Sequence, residues 1–279
     1  RGESADEWLD TSVALALRLA SAWDVTPEAI LEGGAMSVVV LCRDRTGTAT
    51  VLKVPGTRDM GVAESTALAS WKNGALPGVL ATDPDTGSFL MEFIPSIKQA
   101  PSPAGITGLL ERLHVAPVTG TARLEAVLDG RIEAAALRFA SENRASEREH
   151  LAVATAMMEA LQRTAKPTMV HGDFQAKNVL TGESGPVAID PLPAVGDPVS
   201  DLGLWIAGGS AGPRSAAIRH YAGASSDPER LLAWAWALAV LEYRPGSNSA
   251  DAARFVEDNR GPAVDAAAAC MRPVAAFAA

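Results

Sequence analysis

The stretch His171-Gly172-Asp173-Phe174-Gln175-Ala176-Lys177-Asn178-Val179-Leu180, followed by Val187-Ala188-Ile189-Asp190-Pro191, carries most of the chemical information in this chain. Asp173 and Asn178 stand five residues apart, and Asp190 follows Asp173 by 17 residues, at the end of an apolar run. A carboxylate, a carboxamide and a second carboxylate thus fall on a loop, a turn and a strand end. Oxygen donors so arranged suit one or two hard cations plus a proton acceptor for a hydroxyl nucleophile.

Working outward from this loop, strands dominate before it and helices around it. Residues 8–23 carry Leu9, Val13, Ala16, Ala20 and Trp23 at steps of three and four, which predicts an amphipathic helix. Gly33 and Gly34 precede Ser37-Val38-Val39-Val40-Leu41, and a turn at 44–47 leads into Thr48 to Val54; the pair reads as a hairpin. A helix is predicted over 60–73, then short strands at 79–81 and 89–93 around the turn Asp83 to Gly87. After Pro95 the composition predicts helices near 104–114, 121–140 and 145–165, a loop-rich segment over 167–203 with short apolar runs at 168–170 and 186–189, and helices to the end. Sheet first and helices afterwards makes an α+β chain of two lobes, 1–94 and 95–279.

Lys53 lies within the apolar strand Val51-Leu52-Lys53-Val54, where a buried ammonium needs a partner, and Glu64 on the next helix is the nearest suitable one. A lysine held by a glutamate and aimed at phosphates recurs in phosphoryl-transfer sites. Acidic residues are frequent in the helical half, and most of them belong to a solvated face. Glu242, among apolar neighbours, is the best candidate for contacting a cationic ligand. His114, His150 and His220 read as ordinary surface or core histidines. In Leu231 to Leu238 the spacing of Trp234 and Trp236 lets only one face a core, the other lining a cleft or standing half exposed.

With 279 residues, 48% hydrophobic and 20% charged, the chain can bury a large core, which excludes a disordered or collagen-like protein. The net charge of −9 comes without a Lys/Arg cluster, so no nucleic-acid partner is expected. Acidity fits a cationic partner, and equally a protein that is simply well solvated. Cys42 and Cys270 show no metal-binding spacing and suit a reducing compartment. The opening RGESADEWLD lacks a basic n-region and an apolar h-region, so no signal peptide is expected, and the apolar run 231–241 is about half the length a bilayer requires, so a cytoplasmic location is expected.

The ordered set HGDFQAKN, AID and GDPVSD (196–201), with VLKV at 51–54, Glu64, LMEFIP at 90–95 and LLERLH at 109–114, resembles the aminoglycoside phosphotransferase family. Within it, AIDPLPAVGDP is most similar to the branch of streptomycin kinases and of kinases for tuberactinomycin peptides such as viomycin and capreomycin. The resemblance implies a bilobal protein-kinase-like fold, with a small antiparallel-sheet N-lobe that binds nucleotide and a large helical C-lobe with the catalytic loop. It also implies ATP and Mg²⁺ as cofactors, a cationic antibiotic as partner, and no obligatory protein partner. Asp173 would accept or orient the hydroxyl proton, and Asn178 and Asp190 would hold Mg²⁺. Lys53 would touch the α- and β-phosphates with Glu64 fixing its rotamer. The backbone of Glu92 and Ile94 would meet the adenine edge, with Met91 behind the base. Asp201 would brace the catalytic loop and His171 would pack it. Ser37 either touches phosphate or serves the turn.

The chain departs from protein kinases in having Gly172 where they carry Arg, Gln175 where they carry Lys, and Pro191-Leu192 after the second aspartate. The missing arginine argues against phosphorylation-dependent regulation and against protein substrates. Two alternatives stay open at this level. One is a metabolic kinase of the same fold, acting on choline, homoserine or an amino sugar. The other is a nucleotide-binding scaffold without turnover, although Lys53, Glu64, Asp173, Asn178 and Asp190 are all present.

Overall fold

The computed structural model describes residues 5–31, 37–71, 73–97, 99–115, 121–141, 143–223, 225–244 and 250–271. The glycine pair 33–34 lies outside them. The first elements are α1 (Ala5–Ala22), β1 (Thr26–Ile30), β2 (Ser37–Arg43), β3 (Ala49–Pro55), α2 (Arg58–Ser70), β4 (Val79–Thr82) and β5 (Phe89–Glu92). There follow α3 (Pro103–Leu113), α4 (Leu124–Arg138), α5 (Ala145–Thr164), β6 (Thr168–Val170), β7 (Val179–Gly182), β8 (Gly185–Ala188) and β9 (Ala194–Gly196). The chain then continues through α6 (Val199–Ala207), α7 (Arg214–Ala222), α8 (Pro228–Glu242) and α9 (Ala250–Cys270).

Two compact units emerge. One comprises 1–100 with 180–189, the other 101–179 with 190–279. Residues 95–100 and the segment 180–189 therefore fall in the first unit, although the sequence reading put them in the second.

The first unit is a five-stranded antiparallel sheet in the order β1-β2-β3-β5-β4. Alternation sorts its side chains: Val38, Val40, Leu52, Val54 and Leu90 join Leu19 of α1 in one buried cluster. The intervening Val51 and Lys53 of β3 point to the opposite face. There α2 begins at the Thr57 cap, whose hydroxyl accepts the Met60 N–H. Gly61 lets that helix sit close to the sheet, since a Cβ there would lie 2.1 Å from the Gly87 carbonyl oxygen. The sequence reading missed β1. Its five residues, TPEAI, are all exposed, and its pairing with β2 is irregular between Pro27 and Ala29, so an edge strand without alternation left no periodic signal.

In the second unit α8 is the central element, packed by α4, α5, α6, α7 and α9. Both Trp234 and Trp236 are 0% exposed, which corrects the expectation that only one could face a core. A helix surrounded by helices has no outward face. Each indole still finds an acceptor: Trp234 Nε1 donates to Asp197 (2.5 Å) and Trp236 Nε1 to the Val256 carbonyl (2.9 Å). Within the segment expected to be loop-rich, β6 and β9 pair antiparallel, Thr168 opposite Gly196 and Val170 opposite Ala194. This two-stranded ladder carries the loop that begins at His171.

Candidate functional site

The residues of the loop 171–178 converge in the second unit. Asp173 is 9% exposed, and both of its carboxylate oxygens are occupied. Oδ1 accepts from Arg131 Nη2 (2.5 Å) and Gln175 Nε2 (2.9 Å), while Oδ2 accepts from Asn178 Nδ2 (2.7 Å) and Lys177 Nζ (3.0 Å). Burial pushes the Asp173 carboxyl up, but the guanidinium of Arg131 and the ammonium of Lys177 outweigh it and hold the group below its ordinary value. It is therefore an anion at neutral pH, suited to orienting a hydroxyl and receiving its proton late.

The loop is held from behind by Asp201 on α6. This aspartate, 1% exposed, accepts the backbone N–H of His171 on Oδ2 (2.8 Å) and that of Gly172 on Oδ1 (3.0 Å). His114, which caps the end of α3, places Nε2 3.1 Å from the same Oδ2. Burial raises the Asp201 carboxyl, and the His114 contact and the backbone donors more than reverse this, leaving it lowered. His171 is fully buried, its Nδ1 accepts the Asp173 N–H (3.2 Å), and its ring meets Phe174 edge-on at 5.7 Å. Gly172 has φ +75, and a Cβ there would lie 2.2 Å from the Leu192 carbonyl oxygen. No arginine fits in that conformation, which gives a steric reason for the departure from protein kinases.

Asp190 has φ +52, a left-handed conformation unusual for a residue other than glycine and one that concentrates at functional positions. Asn178 is buried in a short 3-10 turn, Ala176–Asn178. Its amide nitrogen donates to the Asp173 carbonyl and carboxylate, which fixes its carboxamide. One carboxylate and one carboxamide oxygen, both hard donors, fit an Mg²⁺ ion that takes its other ligands from water and phosphates. Among the described residues no three His, Cys, Asp or Glu side chains form an all-protein metal cage.

In the first unit Lys53 Nζ donates to Glu64 Oε1 at 2.7 Å, and the ammonium stands 6.0 Å from the Phe89 ring centroid. Met91 is buried, and Ile94 is half-buried. The exposed Glu92 donates its N–H to the Gly78 carbonyl (2.9 Å), and its side chain accepts the Gly78 N–H (2.9 Å). Ser37 opens β2 opposite Pro55.

Sequence reasoning missed Arg131, the His114–Asp201 contact and a buried anchor behind the site. In that anchor Asp197 accepts from Arg230 Nε (2.5 Å) as well as from Trp234. The motif GDPVSD thus supplies two carboxylates with separate tasks, Asp197 tying α8 down and Asp201 holding the loop. Glu242 meets Arg131 Nη1 at 2.5 Å, so the partner that its apolar setting demands comes from within the chain.

No described helix is long and apolar enough to cross a membrane. The chain is 27% identical over 210 residues to a streptomycin 6-kinase of Streptomyces griseus, covering 72% of this chain and 68% of that protein. It is 31% identical over 182 residues to a hydroxyurea phosphotransferase of Kitasatospora aureofaciens, covering 60% of this chain and 52% of that protein. Among solved structures, a choline/ethanolamine kinase family protein from Mesorhizobium loti superposes with a TM-score of 0.59 at 21% identity, covering 94% of this chain and 93% of the other, a likeness of fold. Residues 22–244 match the aminoglycoside/hydroxyurea antibiotic resistance kinase family along most of the chain, and with its protein-kinase-like fold the chain belongs to that family of phosphotransferases.

Proposed function

We propose that this protein uses Mg²⁺ and ATP to phosphorylate a hydroxyl of a cationic antibiotic, with an aminoglycoside of the streptomycin type as the first candidate and a tuberactinomycin peptide as the second. The observation that carries the reading is the buried, ionised Asp173, fixed on a loop whose backbone N–H groups are tied to Asp201. Kinship to streptomycin 6-kinases supports the choice of acceptor, and the net charge of −9 suits a polycation.

In this reading the acceptor hydroxyl donates to Asp173 while its oxygen attacks the γ-phosphorus. The bond between that phosphorus and the β,γ-bridging oxygen breaks, ADP leaves, and the hydroxyl proton passes to Asp173 and then to solvent. Lys53, steadied by Glu64, contacts the α- and β-phosphates. Asn178 and Asp190 would hold the Mg²⁺, which when bound offsets phosphate charge as it develops. Adenine would lie against Met91 and meet the backbone of Glu92 and Ile94. The Glu92 N–H is already committed to Gly78, so the Glu92 contact runs through its carbonyl. Ser37 would touch phosphate or serve the turn before β2. Esterification adds a dianion to a cationic drug, which would weaken its hold on an anionic target.

The test is acceptor-dependent ADP release from Mg·ATP across a panel of cationic antibiotics, with choline, homoserine and amino sugars as controls. Turnover on an antibiotic alone is expected, and turnover only on a control acceptor overturns the antibiotic assignment. Asp173→Ala should abolish turnover and leave nucleotide affinity within about threefold, whereas Asp190→Ala should lose Mg-dependent affinity as well. Equal loss of nucleotide binding in both would refute the division of roles.

A further inference from the structure

We infer that Arg131 is the positioning residue of Asp173, and that Glu242 acts on the reaction by holding Arg131. This rests on the phosphotransferase reading above. Arg131 reaches from α4 to groups 42 and 111 residues away in sequence. One edge of its guanidinium grips the catalytic loop, Nη2 donating to Asp173 Oδ1 (2.5 Å) and to the Gly172 carbonyl (3.2 Å). Nη1 donates to Glu242 Oε1 at the end of α8 (2.5 Å). A planar fork bonded on two sides cannot swing without releasing one of them. The Arg131 side chain is only 17% exposed, which strengthens the pull of each anion on it.

The arrangement also separates the two oxygens of Asp173. With Arg131 and Gln175 on Oδ1, and Asn178 and Lys177 on Oδ2, no lone-pair direction is left for an acceptor hydroxyl until one donor withdraws. Lys177, whose side chain is 65% exposed, is the donor best able to leave. Asn178 is buried and bonded a second time to the Asp173 carbonyl, and Arg131 is held by Glu242. Oδ2 is then the oxygen that meets the hydroxyl, and Oδ1 is the one by which the carboxylate is aimed. Glu242 serves this aim from one step away, without touching the acceptor.

The test compares Arg131→Gln, Arg131→Lys, Glu242→Gln and the double variant Arg131→Gln/Glu242→Gln. Steady-state kinetics on whichever acceptor the panel identifies would be measured together with acceptor-free ATP hydrolysis, nucleotide affinity and a thermal melt. Arg131→Gln should lower kcat about 100-fold, the scale set by misplacing a reacting group, with nucleotide affinity within about twofold. Arg131→Lys should recover part of this rate. Glu242→Gln should lower kcat about tenfold at nearly constant acceptor KM, and the double variant should be no slower than Arg131→Gln alone. Should Arg131→Gln fail to fold, Arg131→Lys and Glu242→Gln carry the test through the same split of kcat against KM. The inference is overturned if Arg131→Gln retains kcat within about threefold, if the two losses multiply, or if Glu242→Gln raises acceptor KM with kcat intact. Wild-type protein inactive both with and without acceptor would instead sink the phosphotransferase reading, and this inference with it.

Discussion

Replacing Asp201 with asparagine changes one atom and removes one charge at the point where the site is tied to the fold. The carboxylate accepts three donors: His171 N–H at 2.8 Å, Gly172 N–H at 3.0 Å and His114 Nε2 at 3.1 Å. In its least damaging orientation the asparagine keeps an oxygen toward His171 and His114 and turns its amide toward the Gly172 N–H. Two donors then face each other in a buried site, which costs about 1–3 kcal/mol. The two surviving hydrogen bonds lose their charge assistance, about 1 kcal/mol each. We expect a total near 3–5 kcal/mol, a large share of the roughly 5–15 kcal/mol that holds a typical protein folded. Urea unfolding followed by tryptophan fluorescence reads it, since Trp205, Trp234 and Trp236 all lie buried in the second unit. Because the chain has two compact units, the transition reporting on those tryptophans is the one to fit. The Asp201 carboxyl is lowered in the folded protein, so its contribution is present above the unfolded value of about 3.9 and fades as pH falls through the folded value. The gap between wild type and Asp201→Asn should therefore be full near neutrality and narrow below about pH 4. A variant within about 0.5 kcal/mol of wild type at pH 7, or a gap that widens in acid, would refute the argument.

Other perturbations follow from the same geometry. Gly172→Ala forces a Cβ against the Leu192 carbonyl at φ +75, a strain above the roughly 1–2 kcal/mol of the left-handed region alone, and should cut turnover with the fold retained by circular dichroism. Asp197→Ala strips the buried Arg230 and Trp234 of their shared acceptor and should destabilise by about 3–5 kcal/mol, lowering Tm by roughly 10 °C in a calorimetric scan. Glu64→Gln removes the carboxylate that orients the buried Lys53 and should weaken nucleotide binding about tenfold by titration calorimetry, together with a clear fall in Tm from the uncompensated ammonium. Cys42 is fully buried and its thiol is pushed up by that burial, so thiol titration should find at most one slow cysteine in the native protein and two after denaturation.

What was legible in the sequence is what neighbouring residues decide among themselves. The step of three and four in 8–23, the apolar runs at 37–41 and 48–54 on either side of a turn, and the spacings 173–178 and 173–190 all arise within short continuous stretches of chain, and the elements and the candidate site were read from them. The pairing of Lys53 with Glu64 could be read too, because an ammonium in an apolar strand demands a carboxylate and one lay on the next helix. The exposed edge strand β1 could not, since with no buried face it leaves no period.

The sequence by itself determined the chemical parts: which carboxylates, which carboxamide and which lysine are available, and in what order along the chain. Only the tertiary structure decided how those parts are held. Arg131 reaches Asp173 across 42 residues and Glu242 across 111, and His114 meets Asp201 across 87. No periodicity couples such positions; helix packing brings them together, and a charge so enclosed selects whichever counter-charge the packing delivers. The same packing settled both tryptophans of α8, because whether a helix has an outward face depends on how many neighbours surround it and not on its own spacing.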